Sequence, residues 1–335
     1  MKIAVCDYGQ GQHTLNAYGG LEVRFAVNWA EYLKSIGHEV HFVDYINSSV
    51  DGSFDLAIDC LIEKCDNVHA SHHIHTSFNT VSLNAAEVQE NQCYRSGNFL
   101  YGSPYKKDYN KSLALAARGY KHKPIFMPIP YLDEWKPESL PSFDRSGIMW
   151  ANKGNFAVDF GWDKHPEYVE NGLILLRSLV KLNKKTDFDI YFLLDGLITS
   201  ARPEFREEIE FLRGQLKSVV KFNKLPWTKM VETVSNCKFN THAGGLTSGI
   251  NEAIFTNSLP MTPENFIHLP TVDLLPTAKN ATEDEVYEVY ERLWFDSELY
   301  YKVLGAFEDH FQDHRDAGVN NAWSHLCSLL GIPNV

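Results

Sequence analysis

Cysteine is sparse in this chain and forms no pattern. Six occur among 335 residues, at Cys6, Cys60, Cys65, Cys93, Cys237 and Cys327. No two stand as Cys-x-x-Cys, so neither a disulfide framework nor a structural zinc site is encoded. Long apolar runs are missing too: nowhere do about eighteen apolar residues follow one another, as a bilayer-crossing helix would need. Positive charge is in deficit. Thirty-one Lys and Arg face 43 Asp and Glu, a formal net charge of −12. That excludes a broad basic face for nucleic acid or anionic lipid, although not a local basic groove. The loop after the first apolar segment contains Gly-Gln-Gly-Gln, but no Gly-x-Gly-x-x-Gly, which disfavours a nicotinamide oxidoreductase. The opening MKIAVCDYGQGQ has one Lys and a short apolar run, unlike a secretory signal. A cytoplasmic protein with reduced thiols is the expectation. Short-period repeats and low-complexity tracts are absent.

What is present is a series of strand-like segments with helix-like segments between several of them. KIAVC reads as a short buried strand, and LEVRFAVNWAEYLKSIG as a helix closed by Gly37. HEVHFVDY, FDLAIDCLI, VHASHHIHTSF, FLYGS and PIFMPIPYL read as further strands. WKPESLPSFDRSG is rich in Pro and Ser and reads as a linker. A second series follows: GIMWA, DIYFLLDG, VKFN and KFNTH as strands, with YVENGLILLRSLVKL, FREEIEFLRGQLKSV and WTKMVETVSNC as helices between them. The tail from Glu283 to Leu330 reads as helical. Strand–helix–strand order means parallel sheets. The expectation is an α/β protein of two Rossmann-like domains facing each other across a cleft. Residues 1–140 form the first and 147–305 the second, with a C-terminal helical segment, 306–335, packing back on the first. Ligands in such sheets lie outside the carboxyl ends of the strands.

One stretch, THAGGLTSGINEAIFTNSLP (Thr241 to Pro260), carries a concentrated signal. A strand runs into a glycine turn and then into a helix bearing Glu252. A helix N-terminus offers unpaired N–H groups and partial positive charge, so it attracts anions. A carboxylate further in could grip something attached to that anion. The plain alternatives are an ordinary helix N-cap and a solvated helix glutamate.

The order of motifs resembles a GT-B glycosyltransferase. It is most similar to the large nucleotide-sugar-dependent family that contains sucrose synthase and many lipopolysaccharide and glycolipid transferases. AYGGLEVRFAVNWAEYLKSIGHEVHFV resembles that family's opening, and PIFMPIPYLDEWKP resembles the segment closing its first domain. IMWANKGNF and Lys164 stand where the family binds the donor's phosphates with an Arg and a Lys. The Thr241–Pro260 stretch stands where the family has two glutamates spaced E-x7-E. Here the first is replaced by Gly244. THAGG is also similar to the His-x-Gly-Gly phosphate loop of transferases that modify lipids, steroids and antibiotics. The first family retains anomeric configuration and the second inverts it; retention is the primary expectation.

The resemblance implies a metal-independent transferase with no cofactor, using a nucleotide-diphosphate sugar, UDP-linked, as co-substrate. Glu252 would bind the ribose hydroxyls, since a carboxylate can accept from two adjacent O–H groups. Gly245, Leu246, Thr247 and Ser248 would offer backbone N–H and hydroxyl groups to the diphosphate, with His242 beside them. Lys153 and Lys164 would supply cations, Lys164 stabilising the leaving group. Gly19 and Gly20 would let the first loop close over the donor. His13, in the same loop, could take the acceptor's proton. Arg24, early on the first helix, reads as solvated or ion-paired. His69, His72, His73 and His75 suggest a metal at first sight. Strand alternation divides them between two faces, and no carboxylate or Cys lies at tight spacing. His75 is instead the choice for contacting the sugar. The acceptor is not legible: a carbohydrate, a lipid-linked group or a small molecule would fit, and DNA is disfavoured by the charge. The rival classes are a sugar-nucleotide-binding module without turnover and, behind it, the oxidoreductase.

Overall fold

The structure is a computed structural model. It describes residues 1–7, 21–44, 53–60, 68–76, 100–119, 122–151, 166–193, 201–223, 225–241, 248–261 and 282–333. The chain divides into two compact units, one made of Met1–Trp135 with Gln312–Val335, the other of Lys136–Phe311.

The first unit is built on β1 (Lys2–Asp7), α1 (Leu21–Ser35), β2 (Glu39–Asp44), β3 (Ser53–Asp59), β4 (His69–Thr76), β5 (Leu100–Ser103), α2 (Lys106–Ala117) and β6 (Lys123–Phe126). Its strands form one parallel sheet in the order β2-β1-β3-β4-β5-β6. α1 forms because Phe25, Ala26, Trp29, Ala30 and Leu33 recur at helical spacing, and all are fully buried. It ends in a Schellman motif: His38 N–H donates to Leu33 C=O, and Gly37 N–H to Lys34 C=O. Gly37 there adopts φ +88°, a conformation that favours glycine. Arg24, expected in solvent or an ion pair, is not in solvent: it is buried at 1% exposure. PIFMPIPYL is a strand only over its first residues. Pro128 and Pro130 cannot donate to a ladder, so β6 stops at Phe126.

The end of the chain belongs to this unit. A 3₁₀ turn (Gln312–His314) leads into α9 (Asp316–Leu330). The His314 ring accepts from Ile129 N–H at 3.0 Å, and its carbonyl accepts from Tyr131 N–H at 2.8 Å. Trp323 packs against Trp29, and Tyr32 Oη donates to Asn320 Oδ1 at 2.7 Å. Gly318 permits the turn into α9, since a Cβ there would stand 2.3 Å from Asp313 O.

The second unit holds β7 (Gly147–Trp150), α3 (Pro166–Lys185), β8 (Asp189–Leu193), α4 (Pro203–Arg213), β9 (Val219–Phe222), α5 (Trp227–Ser235), β10 (Cys237–Thr241), α6 (Ser248–Phe255), β11 (Leu259–Met261), α7 (Glu283–Phe295) and α8 (Ser297–Phe311). Its parallel sheet has the order β11-β10-β7-β8-β9. α4 stops at Arg213, earlier than the amphipathic pattern suggests, because Gly214 caps it.

The Pro/Ser-rich segment is anchored to the second unit by Arg145. This buried guanidinium donates to Leu140 O, Thr256 O, Cys237 O and Ser139 Oγ at 2.8–3.4 Å. Phe143, within the 3₁₀ turn Ser142–Asp144, stacks under the Lys238 ammonium at 3.4 Å. Lys238 also lies over Trp294 and Tyr300 and donates to Trp294 O at 2.9 Å. An aromatic cage thus ties β10, the linker turn and α7–α8 together.

Candidate functional site

In a parallel sheet, a crevice opens at the carboxyl ends of the strands where the strand order changes direction. Each sheet has one such point. In the second unit it lies between β7 and β10, because β8 and β9 extend one way and β11 the other. The two strand ends are bonded together: Trp150 is the register partner of Thr241, and Ala151 N–H donates to Thr241 O at 3.2 Å. The segments leaving these ends in sequence are 152–165, with Lys153 and Lys164, and 242–247, with His242, Gly245, Leu246 and Thr247. Those residues lie outside the described ones, as do His13, Gly19 and Gly20 in the first unit.

Ser248 and Glu252 are brought onto one element. Ser248 opens α6, and Glu252 stands four residues, about one turn or 6 Å, further in. Glu252 is fully buried. A buried carboxylate needs hydrogen-bonding partners, and Trp227 is one: its indole N–H donates to Glu252 Oε1 at 3.0 Å. Trp227 comes from the start of α5 and also stacks on Phe255. Asn240 Nδ2 donates to Gly249 O, fixing the first turn of α6 against β10. Glu252 is therefore a rigidly placed acid on the helix that follows the switch-point strand. Trp227 is a neighbour that sequence spacing could not supply, since it lies 25 residues away.

In the first unit the order changes direction between β1 and β3. Asp59 ends β3, facing Cys6 of β1 and His75 of β4 in register. Its Oδ2 lies 3.3 Å from His73 Nδ1 and 3.2 Å from His75 Nδ1. The two imidazoles are stacked, with centroids 6.2 Å apart and planes 10° from parallel. Side-chain exposure is 1% for Asp59, 4% for His75 and 15% for His73. Thr76 Oγ1 donates to Asp59 O at 3.1 Å. Alternation does set His73 and His75 on one face, as their two-residue spacing requires. The carboxylate missing from the local sequence arrives from the adjacent strand. Nothing in the sequence singled out Asp59, which lies inside the segment FDLAIDCLI read as a strand; β3 ends at Asp59. Among the described residues, no group of three or more His, Cys, Asp or Glu has the arrangement of a metal site. Among the same residues no helix is long and apolar enough to cross a membrane.

No family model matches the chain, and no curated protein matches it in sequence. Solved structures do match. A sucrose-phosphate synthase from Thermosynechococcus elongatus aligns at TM-score 0.55 and 10% identity, over 98% of this chain and 99% of its own. A UDP-GlcNAc 2-epimerase from Neisseria meningitidis, bound to UDP-GlcNAc, aligns at TM-score 0.58 and 13% identity, over 98% and 99%. An Anabaena protein in complex with UDP and glucose aligns at TM-score 0.56 and 10% identity, over 99% of each. Identities this low carry the fold alone. Two parallel-sheet α/β units, matched over nearly the whole of each partner, give this chain a GT-B fold like that of the nucleotide-sugar glycosyltransferases.

Proposed function

We propose that the chain transfers a glycosyl group from a nucleotide-diphosphate sugar, UDP-linked, to a hydroxyl acceptor. The observation that carries this reading is Glu252, a fully buried acid held by Trp227 on the helix after the switch-point strand β10. A buried carboxylate costs several kcal/mol unless it is matched by donors, so a solvated-surface role does not account for it. In this reading Glu252 accepts from the ribose hydroxyls. Gly245, Leu246, Thr247 and Ser248 donate to the diphosphate, with His242 beside them. Lys153 and Lys164, which follow β7 in sequence, add positive charge. Gly19 and Gly20 admit the donor to the first unit, and His75 contacts the transferred sugar. His13 takes the acceptor's proton. The bond from the anomeric carbon to the diphosphate breaks with its electron pair on the diphosphate. A bond from the acceptor oxygen forms, and the acceptor's proton departs. Retention of configuration and independence of metal belong to the same proposal, and so does a cytoplasmic site of action.

A second reading on the same donor site is epimerisation of the sugar, since a UDP-GlcNAc 2-epimerase shares this fold. A thermal-shift panel of UDP-, GDP-, ADP-, dTDP- and CMP-sugars tests the shared premise. A true ligand at a hundredfold excess over its Kd adds about 2.7 kcal/mol of stability. The UDP-sugars are expected to raise the melting temperature. The binding sugar nucleotide, incubated alone and followed by NMR, then separates the readings. Release of UDP with free sugar supports transfer, with water as acceptor. A new intact UDP-sugar supports epimerisation. Binding without either leaves a binding module. No shift with any nucleotide would overturn the proposal.

A further inference from the structure

Trp227 fixes one oxygen of Glu252, but the helix that carries the acid must be held as well. We propose that Arg145 is a positioning residue for nucleotide binding: with Lys136 it clamps the C-terminal end of α6 and thereby fixes Glu252. This rests on the role given to Glu252 in the transfer reading. It adds two residues of the second unit, at the end of α6 remote from Ser248.

α6 has eight residues, about two turns. A helix this short has little stability of its own, so its position along and about its axis is set by what holds each end. At the first turn the tie is Asn240 Nδ2, which donates to Gly249 O at 3.1 Å. The last turn closes in a Schellman motif: Ser258 N–H donates to Ala253 O at 2.8 Å and Asn257 N–H to Ile254 O at 3.0 Å. Asn257 adopts φ +60° there. The Thr256 carbonyl accepts from Arg145 Nη1 at 2.8 Å, and Asn257 Oδ1 accepts from Lys136 Nζ at 2.7 Å. Two cations thus meet the negative end of the helix dipole. Arg145 Nη1 also donates to Cys237 O at 3.4 Å. Cys237 begins β10 and Asn240 stands near its end, so α6 is tied to one strand at both of its own ends. Thr256 carries the constraint to the acid: its N–H and Oγ1 donate to Glu252 O at 3.0 and 2.8 Å. The guanidinium is itself held, with Nε on Leu140 O and Nη2 on Ser139 Oγ. Its planar fork serves these acceptors at once, which the point charge of a lysine ammonium does not reproduce.

A double-mutant cycle on UDP binding tests this, because a residue acting through Glu252 loses its effect once Glu252 is changed. UDP is titrated calorimetrically into wild type, Arg145→Lys, Glu252→Gln and the double variant, each well below its melting temperature. Arg145→Lys keeps the charge and loses the fork. Its Kd should rise about tenfold, the loss of one hydrogen bond to a charged group. In the Glu252→Gln background the same change should raise Kd less than about twofold. General loosening of the fold would instead weaken binding equally in both backgrounds. Losses that multiply, or an unchanged Kd in folded Arg145→Lys, would overturn this inference and leave Glu252 in the site. Asn257→Gly is the second variant. Glycine favours φ +60°, so the melting temperature should hold while the Lys136 contact is lost. Its Kd should rise about threefold, the scale of a charge lost from a helix C-terminus, and only while Glu252 is present. Unchanged UDP affinity in Asn257→Gly would overturn the clamp even where Arg145→Lys fails to fold. A wild type that does not bind UDP, or a Glu252→Gln protein that binds it equally well, would overturn the reading beneath.

Discussion

Replacing Lys238 by Met should flatten one limb of the protein's stability profile, and the structure fixes which limb. Lys238 is a buried ammonium on β10, 3% exposed. Burial pushes its pKa down from 10.5 to about 8, with Asp144 opposing the fall. The folded-state pKa thus lies below that of the unfolded chain. Between pH 8 and 10.5 the unfolded state binds more protons, so stability contributed by this group rises with pH across that window. At 1.36 kcal/mol per pH unit, the fall from 10.5 to about 8 bounds the rise at about 3 kcal/mol. The ring faces of Phe143, Trp294 and Tyr300 favour the charged form and reduce it, by up to about 2 kcal/mol. A rise of about 1–3 kcal/mol is the expectation. Other groups act in the opposite sense. Burial raises the Cys237 thiol and the Tyr290 and Tyr300 phenols above their usual ranges, so their stabilising contribution is lost once their unfolded counterparts ionise. Those groups are common to both proteins, and the difference between wild type and Lys238→Met isolates the lysine. Urea unfolding followed by tryptophan fluorescence at pH 7, 8, 9 and 10 measures it. Wild-type stability should gain on the variant from pH 8 upward. A difference that stays constant from pH 7 to 10 would refute the reasoning.

Two further expectations concern packing and the donor site. Gly147→Ala should lower stability by about 1–3 kcal/mol in chemical denaturation, because its Cβ would stand 2.8 Å from Asn236 O and 2.9 Å from a Tyr191 ring carbon; a neutral result would mean β7 has room to shift. Trp227→Phe keeps the ring that stacks on Phe255 but loses the donor to Glu252, so UDP affinity by calorimetry should fall about tenfold. Equal affinity would show that the indole does not hold the acid in its binding position.

The alternation of strands and helices was legible because each short apolar run is bounded by turn residues, and each helix carries a stripe at its own period. Smaller elements escaped. α2 (Lys106–Ala117) has a weak apolar face, with Leu113 exposed, and left no clear signature. β11 is three residues long with Pro260 at its centre. Arg24 read as a surface charge because position early on a helix says nothing about what covers it. Glu252 was legible from its place after a glycine turn, but Trp227 was not. The Asp59–His73–His75 group depends on the register of β3 with β4, which local spacing does not encode. Contacts made across a sheet or between helices appear only once the chain has folded.

The central claim is that Glu252 grips the nucleoside of a sugar-nucleotide donor. Calorimetric titration of UDP into wild-type protein and Glu252→Gln tests it most directly. Gln keeps the shape and an oxygen that can accept from Trp227, so the fold and melting temperature should persist. The account predicts binding by the wild type, and a loss of about 1.5–3 kcal/mol, tenfold or more in Kd, in the variant. A folded Glu252→Gln protein that binds UDP as tightly as the wild type would contradict it.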